Sequence, residues 1–131
     1  MDEFAVTFPG GKKVEVTHGR HTLLTDQPID NGGEDAAMSP FDLFLASIIS
    51  CSGIVALGFL RRRNISTENL KVRMQSDYDE EANRVNSLKI IIDVPKEFPY
   101  KYLGALEKAL ETCTVKKHLL DPPDFEVVIK K

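Results

Sequence analysis

From Leu43 to Leu60 the chain runs for eighteen residues without a charged side chain, between Ser39-Pro40 on one side and Arg61-Arg62-Arg63 on the other. That run limits the folds open to it. Serine caps helices and proline suits their first turn, while cations favour a helix C-terminus, so the spacing predicts one long helix. Its length meets the lower limit for a membrane span. Ser47, Ser50, Ser52, Gly53 and Gly58 dilute its hydrophobicity, it is the single such segment, and alternating strands flank it. A helix apolar on every side also serves as the centre of a protein core. One chain of 131 residues can hardly cover such a helix alone, so the expectation is a buried central helix packed within a homodimer, with no membrane span.

The flanking segments alternate with the two-residue period of strands. Phe4–Phe8 and Lys13–Thr17 surround Pro9-Gly10-Gly11 and read as a hairpin, and His21–Thr25 reads as a third short strand. Residues 26–40 form a long turn-rich loop carrying Asp26, Asp30, Glu34 and Asp35, either a solvated connector or a lid. Leu70, Val72 and Met74, then Leu88, Ile90, Ile92 and Val94, predict a second hairpin across an acidic turn at 77–87. Leu103, Leu106, Leu110 and Cys113 make an apolar stripe, so a second helix is expected from about Tyr100 to Cys113 or beyond, with Cys113 facing inward. Asp121-Pro122-Pro123 stops it, and Phe125–Ile129 reads as a last strand. The order predicts a single α+β domain over residues 1–131, mainly antiparallel sheet packed on two helices.

A net charge of −3 and a pI near 5.6 give no electrostatic reason to bind nucleic acid. The N-terminus lacks a signal peptide's basic start and apolar run, so a cytoplasmic setting is expected, where thiols stay reduced unless they are catalytic or sensing. The chain has two cysteines, Cys51 and Cys113. Brought together they are a redox couple; apart, they are two small core residues. His18 and His21 lie in extended chain that points them to opposite faces, and no carboxylate–histidine cluster completes a metal site. No phosphate or dinucleotide fingerprint is present, and no bound cofactor is expected.

Several of these residues fall into a known pattern. Ser39-Pro40-Phe41-Asp42-Leu43-Phe44-Leu45-Ala46-Ser47, ending in Ser50-Cys51-Ser52, resembles the central-helix motif of the OsmC/Ohr family, the osmotically induced and organic hydroperoxide resistance proteins. Asp26-Gln27-Pro28 with Gly32-Gly33 resembles the approach to that helix, and Cys113-Thr114-Val115-Lys116-Lys117-His118-Leu119 resembles the second cysteine motif. The resemblance implies an intertwined homodimer with active sites at its interface. It also implies a thiol peroxidase for organic or lipid hydroperoxides: Cys51 attacks the peroxide and becomes a sulfenic acid, Cys113 resolves it to a disulfide, and a dithiol reductant, typically lipoyl-linked, resets the pair. Phe41, Phe44, Ser47, Ile48 and Val55 would line the substrate pocket.

A thiol needs help to ionise at neutral pH. The best-studied branch of the family supplies an Arg beside the reactive Cys and a Glu, directly after the motif's Pro, that holds it. Here that place is Phe41. Asp42, one position later, stands either as a substitute acid or as a first-turn acid favoured by the helix dipole, and Arg20 is the only arginine before the helix. These departures leave a second reading open, an OsmC-like protein that binds an apolar or acylated small molecule without peroxidase turnover.

Overall fold

The structure is a computed structural model that describes residues 2–131. In chain order it comprises β1 (Ala5–Gly10), β2 (Lys13–His18), β3 (His21–Thr25), α1 (Pro40–Arg62), β4 (Lys71–Asp79), β5 (Arg84–Asp93), α2 (Leu103–Leu110) and α3 (Thr114–Leu120), with short 3-10 turns at Ile29–Asn31 and Tyr100–Tyr102. Every strand pairing is antiparallel, in a three-stranded sheet β1-β2-β3 and a two-stranded sheet β4-β5. The chain forms two compact units that divide within α1, one ending at Ala46 and the other Ser47–Lys131.

In the first unit, β1 and β2 pair from Ala5↔Thr17 to Gly10↔Lys13, with an irregularity between Thr7 and Gly10. Pro9, which has no N–H for a ladder, falls in that interval, on an edge strand. β2 and β3 meet across a two-residue turn, Gly19-Arg20, with Gly19 at φ +59. The turn corrects one expectation. His18 and His21 are direct cross-strand partners and therefore share a face of the sheet, because the chain reverses between them instead of running on. The His18 ring stacks on Phe4 at 4.0 Å.

Residues 26–40 form a loop folded around one carboxylate. Asp26 is 1% exposed and accepts the backbone N–H groups of Gln27 (2.8 Å), Glu34 (3.2 Å) and Ala36 (3.1 Å). These donors, the Gln27 N–H first, hold its carboxyl below the ordinary carboxylate range against the opposing effect of burial. Gly33 closes the turn so tightly that a Cβ there would sit 2.0 Å from the Gln27 carbonyl oxygen. Lys13 on β2 pairs with Glu34 at 2.5 Å.

The second unit holds most of the apolar core: Ala56, Phe59 and Leu60 of α1 with Phe98 and Leu106, surrounded by Leu70, Val72, Ile92 and Val94 of the second hairpin and by Tyr102 and Leu110. The buried residues of α1 are Ile48, Ser52, Ala56, Phe59 and Leu60, one row at i, i+4 spacing. Asn64, at φ +55, ends the helix: the Ile65 N–H reaches the Leu60 carbonyl and the Asn64 N–H that of Arg61, the paired closing bonds of a left-handed cap. The Arg63 guanidinium lies 3.5 Å from the Phe59 ring centre and donates to the Phe59 carbonyl. By length and composition α1 could cross a membrane, yet its Ala56, Phe59 and Leu60 pack into this core. Its other faces are less covered by this chain, and Phe41, Phe44 and Ile54 are exposed.

Two sequence expectations need correction. The helix after Pro99 does not run through Cys113. It ends at Leu110, where the Glu111 and Thr112 N–H groups turn back to Lys108 and Ala109 and the Thr112 hydroxyl bonds the Ala109 carbonyl; α3 then starts afresh at Thr114. Phe125–Ile129 forms no strand in this chain. Its residues have the right alternation, but a strand needs a ladder partner, and Phe125, Val127 and Ile129 are 90%, 87% and 91% exposed.

Leu60 is fully buried, so Leu60→Ala should cost about 2–5 kcal/mol in denaturant unfolding through lost burial and a residual cavity. Asp26→Asn should destabilise the fold most at neutral pH. A carboxyl whose value is lower folded than unfolded stabilises above its unfolded value, near 4, and ceases to do so as pH falls through the folded one. Thermal melts of both proteins should therefore converge on acidification below about pH 4; a gap that persists at the lowest pH would contradict this role for the Asp26 charge.

Candidate active site: two thiols and the first turn of α3

α1 carries Cys51 one position before the buried Ser52, beside the core-facing row, so its sulfur is half-buried. Cys113 stands at the boundary residue before α3, with φ −53 and ψ 130, and is 2% exposed. It faces inward, as the apolar stripe predicted, though as a cap residue and not as part of a helix. The consecutive β-branched residues Thr114 and Val115, together with Thr112, are the local signal for the break, since such side chains disfavour helix interiors.

The fold of this unit brings the two sulfurs together. Both cysteines are free thiols, and each is among the groups that shift the other's ionisation. The backbone N–H groups of Val115 and Thr114 act on the Cys51 thiol in the same direction as Cys113 does. The Cys113 S–H, followed by these two N–H groups, holds the Cys51 thiol below its ordinary range against the opposing effect of burial. Burial, followed by the neighbouring Cys51 sulfur, pushes the Cys113 thiol up. Cys51 is thus the more readily ionised thiol of the pair. The N–H groups of Thr114 and Val115 lie in the first turn of α3, where they have no partner inside their own helix. Reading side chains alone misses both.

The remaining candidates are placed as follows. Ile48 is buried, Ser47 and Val55 are half-buried, and Phe41 and Phe44 are exposed with ring centres 5.7 Å apart. Arg20 is exposed in the β2–β3 turn. Asp42 is engaged at its own helix start: its N–H donates to the Ser39 hydroxyl (3.2 Å), and its carboxylate accepts the Ser39 N–H (3.4 Å). This reciprocal box satisfies two otherwise unpaired donors. Among the described residues no arginine is one of the groups that shift the Cys51 thiol. No cluster of three His, Cys, Asp or Glu side chains suitable for a metal ion occurs among them either.

A cavity of about 460 Å³ lies in the first unit, lined by Gln27, Pro28, Asn31, Asp35, Ala37, Ser39, Pro40, Phe41 and Asp42. Its wall is mixed, combining amides and carboxylates with Pro28, Pro40 and Phe41. Of the residues expected to line a substrate pocket, it includes Phe41 and not Phe44, Ser47, Ile48 or Val55.

Comparison with solved structures agrees with this architecture. A protein from Psychrobacter arcticus, described as an osmotic stress induced and detoxification response protein, matches with a TM-score of 0.75 and 26% identity over 89% of this chain and 87% of that one. An OsmC-like protein from Mycoplasma pneumoniae matches with a TM-score of 0.71 and 8% identity over 93% and 89%. The organic hydroperoxide resistance protein OsmC of Legionella pneumophila matches at 0.58 and 18% over 91% and 88%; the last two likenesses concern the fold alone. No curated protein matches the sequence. The sequence pattern of the OsmC-like proteins matches residues 32–128, a stretch that includes both cysteines and the whole of α1, and the chain accordingly belongs to the OsmC-like protein family.

Proposed function

We propose that this protein is a thiol-dependent peroxidase that reduces organic hydroperoxides, lipid hydroperoxides among them. What supports the proposal is the pairing of a half-buried thiol whose ionisation is favoured, Cys51, with a buried thiol whose ionisation is disfavoured, Cys113. Nucleophilic attack on a peroxide requires a thiolate. The Cys51 sulfur attacks the terminal peroxide oxygen, the O–O bond breaks, and the alcohol leaves once its oxygen is protonated. Cys51 is then a sulfenic acid. Cys113 attacks that sulfur, forming the Cys51–Cys113 disulfide and releasing water. A dithiol reductant, lipoyl-linked in type, returns both thiols by exchange through a mixed disulfide. The cycle uses no bound cofactor and suits the reducing cytoplasm.

The activating groups differ from the arginine and glutamate of the family pattern. Backbone N–H groups of Thr114 and Val115 and the Cys113 thiol act on Cys51 here, Phe41 stands where the pattern has Glu, and Asp42 is bonded to Ser39. Ile48 and Val55, one helical turn to either side of Cys51, give its surroundings an apolar character that suits a hydroperoxide tail.

The working form is a homodimer. Phe41, Phe44 and Ile54 on α1 are exposed apolar side chains on a helix whose buried row faces the core, and Phe125, Val127 and Ile129 alternate along an extended segment with no ladder in its own chain. A second copy supplies cover for both.

Two measurements test these readings. In a coupled assay with cumene hydroperoxide and a dithiol reductant, Cys51→Ser should abolish peroxide consumption. Cys113→Ser should stop turnover after one equivalent and leave a sulfenate on Cys51 that dimedone traps. Unchanged consumption by Cys51→Ser overturns the peroxidase proposal. In sedimentation velocity the wild type should run as a dimer, and the double variant Val127→Asp, Ile129→Asp should shift it toward monomer. A wild-type monomer at all concentrations contradicts the dimer.

A further inference from the structure

We propose that the cavity on the 26–40 loop binds a small primary amine that carries an apolar body, a function beyond the proposed peroxidase and one that shares no residue with the thiol pair.

Size and rigidity come first. A cavity of about 460 Å³ falls within the range of small-molecule sites. The loop that forms it is already fixed: three N–H groups hold it to the buried Asp26, Gly33 packs directly against the Gln27 carbonyl, and Lys13 ties down Glu34. A ligand therefore enters without the cost of ordering the loop.

The chemistry of the wall selects the ligand. Pro28, Pro40 and Phe41 offer an apolar surface to a hydrocarbon or a ring, and the polar groups are of one kind. Asp35 and Asp42 supply two carboxylates, and no Lys, Arg or His lines the cavity. Lys12 runs beside Gly32 without lining it. The side chains of Gln27, Asn31 and Asp35 have no hydrogen-bond or ion-pair partner among the described residues, and the Asp42 carboxylate accepts only the Ser39 N–H, at 3.4 Å. An ammonium group has three donors and no acceptor, which suits carboxylate and amide oxygens, and it gains further from an aromatic ring such as Phe41. The positive end of α1 opposes a cation with about half a charge, less than the two carboxylates supply, and the Asp42 and Leu43 N–H groups there already bond to Ser39. An anion would face both carboxylates. A wholly apolar ligand would desolvate them unpaired, and a bare metal ion would leave the apolar side of the wall without an occupant.

The test is a nuclear magnetic resonance titration of the wild-type protein with phenethylamine, with phenethyl alcohol and phenylacetate as its neutral and anionic counterparts. The amine should give saturable shifts centred on the backbone amides of residues 27–42, and the other two should give none at the same concentrations. Asp35→Asn removes one charge while keeping a residue that accepts the left-handed backbone at φ +53. It should weaken amine binding about tenfold, the effect of one hydrogen bond to a charged group, and leave the thermal melt unchanged. Phe41→Ala should weaken binding about threefold. Equal binding of the alcohol, shifts centred elsewhere, no saturation by the amine, or wild-type affinity in Asp35→Asn would overturn the site. None of these measurements uses a peroxide, so the amine site and the peroxidase proposal fail by different results.

Discussion

The row Ile48, Ser52, Ala56, Phe59 and Leu60 along α1 is the constraint on which the second unit depends. It is the part of an otherwise uniformly apolar helix that this chain buries in full. Phe98, Leu106 and the inner residues of β4 and β5 gather on its Ala56, Phe59 and Leu60, which fixes the rotation of this part of α1 about its own axis. Once that rotation is set, Cys51 must stand beside the core row, half-buried and not wholly enclosed. The same packing holds Leu106 and Leu110 against the core and brings the chain after α2 back to α1, where Cys113 is enclosed.

From this placement the electrostatic asymmetry follows without a charged side chain. A helix begins with N–H groups that lack partners within the helix, and two of those in α3 act on the Cys51 thiol. Cys113, deeper, pays the larger desolvation cost for ionising. Two identical functional groups therefore differ in ease of ionisation. The start of α1 obeys a comparable local logic: Ser39 and Asp42 satisfy one another, which gives the acid in the family's motif region a clear role in holding the helix start.

Much of this was legible in the residues. The charge-free run, with its serine–proline start and arginine end, marked α1 to within a few residues, and period-two alternation marked both hairpins. What failed to show depended on partners outside each segment. The stripe through Leu103, Leu106, Leu110 and Cys113 predicted the inward direction of Cys113 correctly but carried the helix too far, because apolar spacing does not register the turn that Thr112, Thr114 and Val115 favour. Extended chain would put His18 and His21 on opposite faces, whereas the two-residue reversal at Gly19-Arg20 puts them on one. Phe125–Ile129 has a strand's pattern but, within one chain, nothing to pair with. The pairing of the thiols and the N–H groups that act on Cys51 could not be read from spacing at all, since they depend on how α3 returns to α1.

The account stands on the claim that Cys51 and Cys113 act as one redox couple. The most direct measurement is the thiol state of the wild-type protein by intact and peptide mass spectrometry after one equivalent of cumene hydroperoxide, without added reductant. The account predicts rapid loss of two hydrogens per chain and a single cross-linked peptide pair joining Cys51 to Cys113 within the same chain. Two unmodified thiols after complete mixing would contradict it and favour the reading in which the fold serves to bind an apolar ligand.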